Sequence, residues 1–206
     1  MRKQKSDRLN EISQAALQVL AERGYYGMTI QEVADRVGLS QAGLLKHVNS
    51  KNGLLFLALE QYDSDQNNPF YAYIEAKKNM SAKELELSPA LMPELYRLIA
   101  QYNAENPSLA QLYLVLRAEA IDAGHPAHEY YAERGIRLRE LIAEVPWKLP
   151  PAYEGRIGAS TLSMVVGSAM EGLEFRWLGE SGIDFVSMWH TYEDVLFPLP
   201  QWDGYR

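Results

Sequence analysis

The 206-residue chain contains no cysteine. That excludes disulfides and thiolate metal sites, and it fits a reducing cytoplasm. No apolar run is long enough to span a bilayer, so no membrane association is expected. The opening MRKQKSDRLNE is basic but lacks an apolar stretch, so it does not read as a secretory signal. Short catalytic motifs are missing as well: there is no G-x-S-x-G, no G-x-x-x-x-G-K-[ST], no G-x-G-x-x-G and no H-E-x-x-H. Gly179-Glu180-Ser181-Gly182 reads as a turn between helices, and Glu171 and Glu174 share a helix without a visible catalytic partner. Neither catalysis nor a cofactor is expected. No β-alternation competes with the helical rhythm anywhere, and no internal repeat is visible.

What the chain does have is an uneven charge. The net value is -7. Residues 1–51 hold eight Lys/Arg (Arg2, Lys3, Lys5, Arg8, Arg23, Arg36, Lys46, Lys51) against five Asp/Glu, a net +3. The remainder holds twelve against twenty-two, a net -10. A basic head on an acidic body is steered head-first toward a polyanion.

The pattern is helical nearly throughout. Leu9, Ile12, Ala16, Val19 and Leu20 form one apolar stripe, with Ser6 and Asp7 at its start and Gly24 as its stop. Ile30, Val33, Ala34 and Val37 form a second, opened by a Thr29-x-x-Glu32 capping box and ended by Gly38. Ser40 caps a third helix and Ser50 a fourth, which carries Leu54, Leu55, Ala58, Leu59 and Tyr62 and frays by Asn67-Asn68-Pro69. Residues 64–90 read as a linker with some helix. Leu91 to Tyr102 restores the period, and Asn106-Pro107 breaks it. Leu109 to Asp122 is apolar nearly all round and is expected to be central. Further helices are expected over 127–145, from Pro150-Pro151 to Leu178, and over 183–196, stopped by Pro198.

Thr29 to Lys51, TIQEVADRVGLSQAGLLKHVNSK, carries the functional signal. A helix-turn-helix needs a small residue where two helices cross, a glycine in the turn and apolar anchors. Here these are Ala34, Gly38, and Leu39 with Leu44. With those helices locked, the face from Ser40 to Val48 can enter a major groove while the preceding helix crosses the backbone. Gln41 can pair with an adenine edge. Ala42 and Gly43 allow close approach, Leu45 can touch a thymine methyl, and Lys46 can reach guanine or phosphate. Thr29 and His47 can donate to phosphates, and Lys51 sits in the first turn of the fourth helix, whose free N–H groups favour one too. The arm of Arg2, Lys3 and Lys5 can add contacts. The expected partner is double-stranded DNA.

The run G-x-x-x-M-T-I-x-x-V-A-x-x-V-G-L-S-x-A-G-L-L-K-H-V-x-S-K-x-x-L-L from Gly24 to Leu55 resembles the signature of the TetR-type transcriptional regulators. Thr29, Ala34, Gly38, Ser40, Leu44, His47 and Lys51 all fall in register. Leu45 and Val48 depart from it, since many members carry tyrosine and phenylalanine there, and Leu45 loses a phosphate-directed hydroxyl. The resemblance implies an all-α protein with an N-terminal three-helix helix-turn-helix domain (residues 1–51) and a C-terminal helical regulatory and dimerisation domain (52–206), linked by the helix over 52–66. It also implies a homodimer on an inverted-repeat operator, released by a small-molecule effector and acting as a repressor in the cytoplasm. Arg117–Glu140 and Ala169–Leu178 are similar to segments of one regulatory-domain subgroup, in which the second lies at the dimer interface.

On that reading, the stripe Leu162, Val166, Ala169, Leu173 and Trp177, with Val186 and Trp189 on the last helix, is expected to pair two subunits in a four-helix bundle. The bland alternative is that these residues are intrachain core. Leu95, Ile99, Tyr102, Leu112, Tyr113, Leu116, Tyr130, Tyr131, Met164 and Met170 are expected to line the effector pocket, tyrosines giving an apolar body with a polar tip and methionines adapting to odd shapes. His125, His128 and Glu129 lie too close in sequence to close a metal site alone; they read as a polar helix-start cluster placed to transmit motion, and no metal is expected. The rival to a DNA-binding regulator is a helical protein-interaction or small-molecule-binding protein without sequence-specific DNA binding.

Overall fold

In the computed structural model the described residues are 5–63, 68–154 and 157–206. Arg2 and Lys3 of the basic arm and Asn67 at the expected fray lie outside them. All regular structure among the described residues is helical, apart from one isolated bridge between Ala90 and Trp147. Two compact units divide the chain: residues 1–65 with 108–132, and residues 66–107 with 133–206.

The first unit begins with α1 (Lys5–Gly27). Its stripe buries Ile12, Ala16, Val19 and Leu20 completely, against Leu54, Leu55 and Ala58 of α4 (Lys51–Asp63). Each large side chain so removed from water contributes about 1.5–3 kcal/mol. α2 (Ile30–Arg36) and α3 (Gln41–Val48) add Val33, Ala34, Leu44 and Val48 to the same core. α8 (Pro107–Glu119) supplies Leu112 and Leu116. It is less enclosed than its composition suggests: Gln111, Arg117 and Ala118 are exposed, so only one face is buried. The sequence reads this helix as central and buried, and the structure buries one face of it.

Gly24 also differs from a simple stop. Its φ of 67° and ψ of 179° interrupt α1, yet helical backbone resumes through Gly27. The left-handed φ favours glycine, and a Cβ there would lie 2.3 Å from Glu119 Oε1.

The second unit is built on α5 (Pro69–Lys78), α6 (Ala82–Leu87), α7 (Met92–Glu105), α9 (His128–Glu144, whose first turn belongs to the first unit), α10 (Pro151–Glu154), α11 (Gly158–Gly179) and α12 (Phe185–Leu196). Its core joins Leu95 and Tyr96 to Leu162, Val166, Met170, Leu173, Phe185, Trp189, Phe197 and Trp202. Residues 69–87 are more regular than a linker. Pro69 opens α5 instead of breaking a helix, because the first turn needs no N–H from it, and Asn68 caps the turn. Ser81 and Glu84 form a complete capping box on α6. Tyr73, Ile74 and Lys77 are buried, with Lys77 Nζ donating to the Ser88 carbonyl at 3.0 Å. The helix expected from Pro150-Pro151 to Leu178 is two helices, α10 and α11, the second opening at Gly158 with φ 68°.

Candidate nucleic-acid interface

Thr29 has extended backbone, and its Oγ1 accepts the Glu32 N–H at 3.1 Å, which starts α2. The Glu32 carboxylate lies 3.7 Å from both Arg23 and Arg36. Arg36 also grips Glu22 at 2.6 Å. That contact holds the Glu22 carboxyl below its ordinary range and raises the guanidinium. Arg36 is therefore committed to holding α2 on α1.

The turn closes on small residues. Ala34 is fully buried, Gly38 takes φ 66°, and the Leu39 N–H donates to the Ala34 carbonyl at 2.9 Å. Ser40 then caps α3, its Oγ accepting the Gly43 N–H at 3.1 Å. Leu44 and Val48 turn inward. The remaining faces of α3 therefore point away from the core: Gln41, Ala42 and Lys46 are exposed, and Gly43, Leu45 and His47 half-buried. Thr29 and Ser40 are exposed beside it.

Lys51 opens α4. Its Nζ donates to the Tyr26 carbonyl at 3.3 Å and sits 4.6 Å above the centre of the Tyr25 ring. Tyr25 in turn donates through its hydroxyl to Asn52 Oδ1. The end of α1 thus seats the lysine, a support the hydrophobic rhythm could not reveal. A second residue that pattern missed is Gly53. A Cβ there would stand 1.8 Å from the Val48 carbonyl oxygen, so α4 leaves α3 at a distance only glycine allows.

The ten residues expected to line a pocket divide between the two units. Leu112, Leu116, Tyr113, Tyr130 and Tyr131 come together in the first unit. There Tyr113 stacks on Tyr62 at 6.3 Å and meets Tyr131 edge-on at 6.0 Å, while Tyr130 donates to Asp63 at 2.6 Å. Leu95, Ile99 and Met170 belong to the core of the second unit, and Tyr102 is half-buried on α7. Met164 is 53% exposed, on the outer face of α11, and is no core wall.

The expected dimer stripe also needs correction. Leu162, Val166, Leu173 and Trp189 are buried within the chain's own second core. Ala169 and Val186 are half-buried, and Trp177 stacks on Phe185 at 4.6 Å. Helix α11 turns Val165, Ser168, Gly172 and Phe175 outward instead, and α12 turns out Met188, Thr191 and Val195. Helix α11 carries large apolar side chains on both an inner and an outer face, and periodicity selected the inner one.

Two polar clusters lie apart from this surface. In the second unit Glu174 is 3% exposed and accepts from Asn103 Nδ2 at 2.5 Å. Burial, with the nearby Glu171 charge, pushes its carboxyl up to about 7 against the pull of Asn103. In the first unit His125 is buried beside Glu119. His128 Nδ1 lies 2.8 Å from the Ala120 carbonyl, and among the described residues no group of three His, Asp or Glu is placed to hold a metal.

Comparison with known proteins agrees with this geometry. Residues 12–58 match the family described as bacterial regulatory proteins, tetR family. The HTH-type transcriptional regulator YvkB of Bacillus subtilis (strain 168) is 32% identical over 57 residues, which are 28% of this chain and 30% of that protein. The chain thus matches less than a third of that relative's length. Two solved structures share the fold over nearly the whole chain. One, a TetR-family regulator of Mesorhizobium loti MAFF303099, has a TM-score of 0.59 at 17% identity and covers 95% of each chain. The other, from Rhodococcus sp., has a TM-score of 0.58 at 24% identity over 93% of this chain and 98% of that one.

Proposed function

We propose that this chain, whose residues 12–58 match the tetR family of bacterial regulatory proteins, is a transcriptional regulator that binds DNA through α3. One observation carries the reading: α3 anchors itself by Leu44 and Val48 and leaves Gln41, Ala42 and Lys46 free to meet a groove. Residues 1–51 form the DNA-binding domain and 52–206 the regulatory one. Gln41 and Lys46 read base edges, Ala42, Gly43 and Leu45 permit and pack the approach, and Thr29, Ser40, His47 and Lys51 hold phosphates.

The protein works in the cytoplasm as a homodimer on an inverted repeat whose half-sites lie about one helical turn apart, ~34–36 Å, or a multiple. The pairing surface is the outward face of α11 and α12, with Val165, Phe175, Met188 and Val195. A small-molecule effector releases a repressing dimer by binding better to the form whose two heads no longer match both half-sites. The candidate effector-contacting residues in the first unit are Tyr113, Tyr130 and Tyr131. The test is a gel shift on a duplex carrying the gene's own upstream region. A salt-dependent complex that survives excess unrelated duplex supports the reading, and none at low salt refutes it.

A further inference from the structure

The strongest unassigned device lies in the first unit, where the turn after α8 meets the end of α1. The His125 side chain is fully buried. Its Nδ1 accepts the Ala127 N–H at 3.1 Å, so the single proton of the neutral ring must sit on Nε2. That Nε2 has no hydrogen-bond partner and stands 3.6 Å from Glu119 Oε2. The same oxygen accepts the Tyr25 N–H at 2.7 Å, immediately after the left-handed Gly24. The Tyr25 ring then carries the Lys51 ammonium.

We propose that His125 and Glu119 form a proton-sensitive latch on the end of α1, which positions Lys51 for its phosphate contact. The Lys51 half of the idea rests on the proposed DNA-binding function; the latch itself does not. A second proton can enter the ring only at Nδ1, and there it displaces the Ala127 N–H. The resulting imidazolium attracts the Glu119 oxygen now shared with Tyr25. Acid therefore loosens the turn at Ala127 and frees the Tyr25 N–H, and the platform under Lys51 moves.

Tyr25 and Tyr26 of α1 meet the His125 ring edge-on at 4.9 and 5.4 Å, and Lys51 of α4 lies beyond Tyr25. Glu119 faces it from α8, and Asp122 from its own turn. Burial holds the ring below its ordinary value, with Glu119 and Asp122 opposing. The latch is thus closed near neutral pH and opens on acidification.

The test uses the full chain with His125→Gln, whose amide oxygen can still accept from Ala127, and Glu119→Gln, which keeps an acceptor for Tyr25 without charge. Amide exchange of Tyr25, corrected for its intrinsic pH dependence, is followed from about pH 7.5 to about pH 5.5. The wild type should lose about tenfold of its protection across that range, and both variants should change little. Parallel pH profiles for all three chains overturn the latch.

Binding to a random-sequence duplex is measured alongside, as log affinity against log salt. The wild-type slope should fall by about 1 per protomer relative to His125→Gln at the acid end only. His47 is common to both chains and cancels. Tyr25 release without that slope change overturns the Lys51 link alone. A wild type that binds no duplex at low salt refutes the DNA-binding function, and the exchange profile still decides the latch.

Discussion

Replacing Glu174 by glutamine should stabilise the protein, and only where the native carboxyl is paying for its burial. In the fold the group sits at about 7 against an ordinary 4.5, chiefly because it is desolvated. An unfolded chain releases this proton near the ordinary value while the folded chain holds it, so stability falls as pH rises from about 4.5 to about 7. The full loss above that window corresponds to about 3 kcal/mol, an upper figure given that local relaxation reduces it. Glutamine is the same size, keeps an oxygen for Asn103 Nδ2 and carries no charge to bury. Urea unfolding of both chains, at one fixed protein concentration so that association does not enter, should show equal midpoints near pH 4.5. Near pH 8 the variant should be ahead by about 2–3 kcal/mol. Wild-type and variant curves that stay parallel from acid to alkaline pH would refute the assignment of Glu174 as a buried, reluctantly ionised group.

Gln41→Ala and Lys46→Ala should each cost about 1–3 kcal/mol of specific DNA binding, while helical content by circular dichroism stays unchanged; wild-type affinity in the double variant would show that α3 is not the reader. Gly38→Val forces a β-branched residue to φ 66° and should cost about 2 kcal/mol or more of stability, seen as a lower thermal midpoint. Phe175→Glu, on the outer face of α11, should give monomers by light scattering, whereas Trp177→Glu should lower stability because it breaks the stack on Phe185. A normal dimer from Phe175→Glu would place the subunit contact elsewhere.

The head was legible because local chemistry dictates it. Thr29 and Ser40 are caps whose partners lie three residues away, Gly38 is required by its own φ, and Leu44 with Val48 repeats at helical spacing. The all-helical class followed from the same short-range rules. What stayed hidden depends on long-range packing. Which side of α11 faces inward cannot be read from a helix with apolar side chains on two faces, and so Leu162, expected at a subunit contact, lies in the core while Phe175 faces outward. Pro69 looked like a breaker because only the cap at Asn68 reveals it as a beginning. Tyr25, Glu119 and His125 carry no local signature that joins them. The seat of Lys51 emerges only when residues from α1, α4 and α8 meet.

Gly53 has a consequence for anyone who maps this protein by genetics. With Val48's carbonyl where its first side-chain carbon would be, almost any replacement acts as a wedge between the third and fourth helices. Under the proposed function such a mutant loses DNA binding although the residue itself touches no nucleotide. In a selection for defective clones it would be scored among the bases' own readers, a false witness that only a folded-state measurement could unmask.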